Sequence, residues 1–585
     1  MSKQSEIKNK IWKNSYPKNV KSEYDIPKQS YIEAIEEIAD KYPDNTALYF
    51  LGSEFSYKEM KSYIARFASA LKKLNIKKED KVVIYLPNCP QFVFGYLGAL
   101  KIGAITVPIN PLFTKSEIQY ILNDSEAETV ICLDINHRNV LEIKDETKVK
   151  NIIVTNVADY ISPAKSFLGK LLKKIPSEKY DKNKVHDFRD LMKIDELETN
   201  IKINPEDLAA IQYTGGTTGL SKGVMLTHGN IVSDRFLAYT MMEQFVDKSG
   251  ENILALLPFF HIYGQVVLLG NSLAYGHSLL ILPKLDLPLL LNSVKKYKST
   301  IFYGIPTLYN AILKQQGFEE YLSSVKFFFS GADFLHSNTV DEWKKKTGKN
   351  IIQGYGLSET SPITHVTPFD KVKANSFGIP IPNTHAALIG IKDKKIINKI
   401  DAEGELVING PQVMQGYWKK DEENKNAFIK INNEKWFRTG DLAKFDKDGY
   451  FYFVDRIKDI VKYKGYLVVP AEIETLLYKH PKIREFGVEQ LIDYQSENFS
   501  DRVMDMTDGK GADLVLDSLG GEELAKSYGC LSEFGRVGAY GFSTAVTGPK
   551  RNYFKILSKF LKMPSFSPRH MMMKNKGAFG FHLGY

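Results

Sequence analysis

The segment YTGGTTGLSKG, residues 213–223, sets glycines beside threonine hydroxyls and a single lysine. Glycines leave successive backbone N–H groups free to face an anion, because no side chain stands in the way. Thr214, Thr217 and Thr218 add hydroxyl donors, and Lys222 adds a positive charge. The GxxxxGK[ST] spacing of a Walker loop is absent. A glycine-rich loop alone is as often a plain turn. Three hydroxyls and a lysine in one short span point to bound phosphate.

Three further stretches carry groups suited to a nucleotide and an acid. LPFFHIYG, residues 257–264, puts His261 among aromatic rings, where an imidazole can position a carbonyl or carboxylate. Alone, such a histidine is more often a satisfied core residue. GYGLSETSP, residues 354–362, offers Glu359 after a glycine-rich turn, as a hard oxygen ligand for Mg2+ beside phosphates. Alone, it is a helix N-terminal glutamate. WFRTGDLAKFDKDGYFYFVDRIKD, residues 436–459, contains Asp441 and Arg456. A buried acid accepts hydrogen bonds from ribose hydroxyls, and an arginine binds hydroxyl or phosphate. Alone, DKDG within it is a hairpin turn.

The elements that must position these groups read as α/β. KVVIYLP (81–87), AITVPIN (104–110), TVICLD (129–134), NIIVTN (151–156) and IFYGIP (301–306) are short apolar strands. PQFVFGYLGALKIG (90–103) is a helix ended by Gly103. Strands separated by helices imply parallel α/β layers. The apolar stretch at 252–283 is interrupted by Pro258, His261 and glycines. It reads as strand, loop, helix and strand, since a membrane span wants about 20 unbroken apolar residues. Residues 161–178 form a basic amphipathic helix, which can lie on a membrane surface. Packing on its own domain is the plainer alternative.

Composition narrows the class. The 585 residues are 43% hydrophobic and 25% charged, as in an ordinary multidomain globular protein. A net charge of +9, without clustering, leaves nucleic acid aside. Cys89, Cys132 and Cys530 are far apart. They suggest neither disulfide framework nor zinc site, and fit a reducing compartment. The polar, basic N-terminus has no apolar core of a signal peptide, so the expected location is cytoplasmic, with peripheral contact at the inner membrane face as the variant.

Taken together and in this order, the motifs resemble the acyl-adenylate-forming (AMP-binding) synthetase superfamily over about residues 30–485. LPNCPQFVFGYLGALKIGAITVPINPLFTKSEIQYILNDS, beginning at Leu86, is most similar to bacterial long-chain fatty acyl-CoA ligases. The resemblance implies ATP, Mg2+ and coenzyme A, and conversion of a fatty acid to acyl-AMP and then to acyl-CoA. By carry-over, Thr214, Gly215, Gly216, Thr217, Thr218, Gly219 and Lys222 clasp the β- and γ-phosphates. Ser330, Gly331, Ala332, Tyr355 and Gly356 line the adenine pocket. Glu359 holds Mg2+ and Thr360 touches the α-phosphate. Asp441 and Arg456 hold ribose. His261 lies beside the carboxylate, with Phe259, Phe260 and Gly264 near the acyl tunnel. Lys458 marks the hinge of a small C-terminal domain that rotates to cover coenzyme A. Lys462 counts among the cofactor contacts, but Lys462 and Gly465 alone do not replace the missing rest of that domain.

The vocabulary changes near residue 485. The family's C-terminal domain carries a lysine that bridges carboxylate and α-phosphate during adenylation, in a PKT.SGK-like stretch found nowhere downstream here. Leu467 also stands where relatives often carry a polar residue. Residues 486–548 instead resemble the later half of a medium-chain dehydrogenase/reductase nucleotide-binding domain of the quinone-oxidoreductase type. The strand ADLVLDSLGG, the helix EELAKSYGCL and the strand GRVGAYG carry that likeness, as does NKGAFGFHLGY. The GxGxxG turn that cradles a dinucleotide is absent before Leu491.

The expected organisation is therefore an adenylation body at 1–457, a truncated C-terminal domain at 458–485 and a partial Rossmann-like α/β fragment at 486–585. Both families are cut inside a domain, whereas fusions join at linkers. The junction thus reads as a rearranged or misassembled gene. The expected activity is fatty-acid activation, impaired by the missing lysine segment. The alternatives are an NADP-dependent reductase activity of the tail, disfavoured by the absent glycine motif, and a non-catalytic nucleotide or acyl-AMP binder.

Overall fold

A computed structural model describes residues 11–161, 176–196, 201–214, 221–331, 333, 335–457, 461–463, 466–468, 498–517, 523–539, 571 and 576–580. The chain divides into two compact units, Met1–Ile473 and Glu474–Tyr585.

The first unit holds three large sheets. One has nine strands, and its centre is parallel, running through Ser278–Ile281, Asn252–Ala255, Ile301–Gly304, Phe327–Ser330 and Ile351–Gly356. The second has eight strands, with a parallel centre through Ile105–Pro108, Lys81–Tyr85, Thr129–Leu133 and Asn151–Thr155. These central strands are apolar almost throughout because both faces are covered. Lys81–Tyr85, for instance, buries four of its five residues. Helix Pro90–Lys101 starts on a proline, whose fixed φ suits the first turn, and ends just before Gly103, which has φ +70.

The third sheet departs from the expected parallel layering. His385–Ile389, Gly404–Asn409, Glu434–Phe445 and Phe451–Arg456 pair antiparallel. The connection between the last two is short, turning at Asp446–Gly449, where Gly449 takes φ +79. A two- to four-residue turn can only reverse a strand, so DKDG made this hairpin legible although the sheet was not. The apolar stretch at 252–283 forms the expected strand, loop, helix and strand, but Tyr263–Gly270 winds as a π-helix.

Beyond residue 457, Val461–Tyr463 pairs with Tyr466–Val468 as a small hairpin, Lys462 opposite Leu467. In the second unit, Ala512–Asp517, Leu531–Ala539 and Gly577–Gly580 make a parallel three-stranded sheet. Helix Glu523–Gly529 covers one face, packing Leu524 and Tyr528 with Val515 and Val537. The opposite face presents Leu514 and Leu516, 57% and 51% exposed. Doubly wound sheets cover both faces, so this sheet has the form of a part of such a domain. The amphipathic stretch at 162–175 lies outside the described residues.

Buried histidines make the first unit acid-sensitive. Burial lowers His228 and His277 to about 4 and His365 to about 3. His228 Nδ1 accepts from Tyr31 N, and His277 Nδ1 accepts from Glu251 N. Asp207 beside His228, and Glu251 and Asp247 beside His277, oppose the shift without cancelling it. Unfolded histidines protonate near 6.5, so below that pH the unfolded chain binds protons that the folded chain refuses. Asp234 works the other way, since burial raises its carboxyl and keeps it protonated. Three protons against one leave a net of two, or on the order of 2–3 kcal/mol lost per pH unit between about 6.5 and 4. Thermal melts across that range should show Tm falling steeply. A flat profile would contradict the assignment of these groups as neutral.

Candidate active site

In an open α/β sheet, ligands settle beyond the carboxyl ends of the strands. Thr214, Ser330 and Gly356 are the last residues of strands Leu208–Thr214, Phe327–Ser330 and Ile351–Gly356. The glycine-rich segment is a hairpin connection. Thr214 lies opposite Lys222, where strand Lys222–Thr227 returns antiparallel. Gly215, Gly216, Thr217, Thr218 and Gly219 fall outside the described residues, as do Ala332, Lys458, Gly465 and the side chain of Lys462.

The ammonium of Lys222 stands 5.3 Å from the centre of the Tyr417 ring. The Tyr417 hydroxyl donates to Glu359 Oε1 at 2.8 Å. A single tyrosine therefore brings the hairpin lysine and the carboxylate together. Glu359 sits on the short turn Ser358–Thr360. Thr360 is fully buried, and its hydroxyl donates to Pro362 O at 2.6 Å and accepts from Leu357 N. In this arrangement Thr360 shapes the turn that presents Glu359.

A second cluster gathers Tyr355, Asp441 and Arg456. The Tyr355 hydroxyl donates to Asp441 Oδ2 at 2.6 Å. Arg456 Nε lies 3.5 Å from Asp441 Oδ1, the two residues facing each other across the antiparallel pair. Asp441 is 3% exposed while Arg456 reaches solvent. Burial, followed by the Asp441 charge, pushes the Tyr355 hydroxyl far above its usual range, so it stays a donor. A cavity of about 140 Å³ opens here, lined by Tyr355, Gly356, Asp441, Arg456 and Phe377 among others.

A larger cavity of about 460 Å³ adjoins it at the end of strand Ile351–Gly356. Met242, Leu257, Val267, Tyr303 and Phe329 give it an apolar wall, and His261, Ser330 and Gly331 add polar points. Residues Gly354–Leu357 line both cavities. Among the described residues the buried Ser330 Oγ has no hydrogen-bond partner. The His261 ring is open to the cavity while the surrounding protein lowers its pKa by desolvation, which keeps it neutral. Phe259 is buried with its ring tilted against that of Phe92, and Phe260 lies against His261. Gly264 admits no side chain, because a Cβ there would stand 2.1 Å from Pro258 O.

Three residues that sequence reasoning missed hold these groups in place. Gln212, on the strand leading into the phosphate hairpin, donates to Phe260 O at 2.9 Å and accepts from Gln265 Nε2. Asn88 accepts from Phe259 N at 2.7 Å and donates to Leu257 O. Tyr417 is the third. Each partner lies dozens of positions away in sequence, and only the aromatic pair after Gly416 in GYW gave a local signal.

Comparison with known proteins gives the same reading. Residues 35–418 match the AMP-binding enzyme family, and residues 476–585 match the family described as zinc-binding dehydrogenase. A long-chain-fatty-acid–CoA ligase of Bacillus subtilis is 36% identical over 88% of this chain and 92% of its own length. One from Escherichia coli is 32% identical over 81% and 86%. The crystal structure of a long-chain-fatty-acid–CoA ligase from Archaeoglobus fulgidus superposes with TM-score 0.65 and 26% identity, covering 80% of this chain and 89% of that one. The dehydrogenase description names zinc, but among the described residues no three His, Cys, Asp or Glu side chains gather as ligands. Cys530 is buried there with its thiol pKa raised. The chain thus belongs to the AMP-binding enzyme family, as a relative of the long-chain-fatty-acid–CoA ligases, with dehydrogenase-family sequence from residue 476 onward.

Proposed function

We propose that this chain activates a long-chain fatty acid with ATP and transfers it to coenzyme A. The observation that carries the reading is the strand Ile351–Gly356. Its residues Gly354–Gly356 line both an apolar cavity and an Asp441–Arg456–Tyr355 pocket, and Tyr417 holds Lys222 and Glu359 close together. An apolar acid and a nucleotide can meet there.

In the first step a carboxylate oxygen attacks the α-phosphorus of ATP, and the bond to the bridging oxygen breaks as pyrophosphate leaves. His261, kept neutral, positions the carboxylate at the mouth of the apolar cavity. Asp441 and Arg456 hold the ribose, and Tyr355, Gly356, Gly331 and Ser330 face the base, with Ser330 Oγ available as a hydrogen-bonding group. Thr214 and Lys222, with residues 215–219, receive the departing phosphates, where a fixed cation counts most because charge builds as the bond breaks. Glu359 has the chemistry of a Mg2+ ligand. One oxygen is fixed by Tyr417, and among the described residues the other has no partner. Mg2+ bound there would neutralise phosphate charge. Thr360 belongs with these residues through the turn it shapes. In the second step the thiol sulfur of coenzyme A attacks the acyl carbonyl and AMP leaves.

The domain reading is a body at 1–457, a C-terminal remnant at 458–485 that includes Lys462, and a dehydrogenase-like fragment at 486–585. The order of these parts is supported by the AMP-binding match within the body and by the dehydrogenase match, which begins at residue 476, inside that remnant. No helix among the described residues is long and apolar enough to cross a membrane. A cytoplasmic location with small-molecule substrates fits this reading.

The test is ligand-dependent melting. ATP with Mg2+ should raise Tm, and NADPH should not. The reverse result would favour a dinucleotide function of the tail. A shift with ATP, without any fatty-acid-dependent pyrophosphate release even when a complete family C-terminal domain is grafted on, would identify a non-catalytic binder.

A further inference from the structure

Lys222 and Glu359 are opposite charges at one end of the cleft, yet they do not form an ion pair. Among the described residues Lys222 pairs with no carboxylate at all. Between them stands Tyr417, its ring under the ammonium and its hydroxyl on the carboxylate. We propose that Tyr417 is a positioning residue that keeps the cation and the carboxylate apart and aimed at the same phosphates. The proposal rests on the reading of the site as an ATP site.

The backbone around Tyr417 is built for such a task. Met414 N donates to Glu359 O at 2.8 Å, so the segment grips Glu359 by backbone as well as by side chain. Trp418 N donates to Gly223 O at 2.7 Å, the residue next to Lys222. Strand Gly416–Tyr417 pairs with strand Lys222–Thr227, Tyr417 opposite Val224. Asn424 closes the frame. Its Oδ1 accepts from Tyr417 N at 2.6 Å and its Nδ2 donates to Tyr417 O at 2.9 Å. Five residues, 414–418, thus tie together two site elements that are far apart in the chain.

The chemistry of the side chain suits the place. An aromatic face attracts an ammonium without neutralising it, so the lysine keeps its full charge for phosphate. A phenol donates one hydrogen bond to a carboxylate and carries no charge of its own. A lysine or arginine at 417 would pair with Glu359 and compete with a divalent cation. An aliphatic residue would free both charges to collapse onto each other.

The experiment measures ATP affinity by calorimetry on the full chain, with and without Mg2+, for the parent, Tyr417→Phe, Glu359→Gln and the double variant. Tyr417→Phe keeps the ring under Lys222 and removes only the hydroxyl. It should weaken the Mg2+-dependent part of ATP affinity by about 10–100-fold, the range for losing an outer partner of a metal ligand. ATP affinity without Mg2+, and the ligand-free Tm, should stay as in the parent. In the Glu359→Gln background the same change should add nothing, because the hydroxyl acts through that carboxylate. Tyr417→Leu should in addition weaken Mg2+-free ATP binding, by releasing Lys222. Parent-like Mg2+ dependence in Tyr417→Phe would overturn the proposal, as would additivity with Glu359→Gln. An equal loss with and without Mg2+, together with a lowered ligand-free Tm, would mean that Tyr417 merely supports the fold. If the parent itself binds ATP with no response to Mg2+, the reading of Glu359 fails and this proposal falls with it.

Discussion

Replacing Lys222 by alanine is expected to slow fatty-acid-dependent pyrophosphate release by about 10²–10³, the scale for removing one preorganised charge-stabilising group. The pyrophosphate acquires charge as its bond to the α-phosphorus lengthens, so a fixed cation near it stabilises the transition state more than bound ATP. Lys222 is suited to this by position. It opens the strand that returns from the glycine-rich loop, opposite Thr214. Its ammonium rests on an aromatic face rather than on a carboxylate, so its charge is not spent inside the protein. ATP affinity should fall much less than the rate. Unchanged pyrophosphate release in Lys222→Ala, measured in a chain with activity to lose, would remove Lys222 from the chemistry.

The second large effect arises in the chain beyond the hairpin Val461–Val468. From residue 476 the chain matches a dehydrogenase family, whereas the resemblance to acyl-adenylate-forming enzymes implies a C-terminal domain there that brings a lysine to the α-phosphate. Adenylation brings a carboxylate anion against a polyanion, so losing that cation should cost the step at least ~10²-fold against an intact relative. Binding should survive better than catalysis, since Glu359, Asp441, Arg456 and Tyr355 all belong to the body. Grafting a complete family C-terminal domain after Arg484 should therefore restore turnover in a pyrophosphate assay, and leave ATP-dependent melting almost unchanged. Full activity in the ungrafted chain would show that another lysine takes the place.

The legible parts of the fold were those with local causes. The strands at 81–87, 129–134 and 151–156 announced themselves as unbroken apolar runs, and Gly103 marked the helix end. The motif residues Lys222, Glu359, Asp441 and Arg456 could be named from the sequence, and the fold pairs Asp441 with Arg456 beside Tyr355 and sets Lys222 and Glu359 on Tyr417. What could not be read was anything set by distant contacts. Tyr417 meets Glu359 across 58 positions, and Gln212 meets Phe260 across 48. The sharing of Thr360's hydroxyl with Pro362 O depends on a tight turn that spacing does not reveal. The antiparallel third sheet was missed because single short strands look alike whether their neighbours run with them or against them.

Strand Ile351–Gly356 serves two cavities at once, and this has a thermodynamic consequence. Any shift of residues Gly354–Leu357 reshapes both cavities together, since these residues line both. Gly356 has no slack to absorb such movement, since even a Cβ there would lie 1.7 Å from Pro362 O. Two ligands that lean on one rigid segment are linked, and linkage is reciprocal. Whatever factor an acyl chain imposes on the affinity for nucleotide, the nucleotide must impose on the affinity for the acyl chain. Order of addition can then differ between fatty acids of different bulk, while the product of the two affinities is the same by either route.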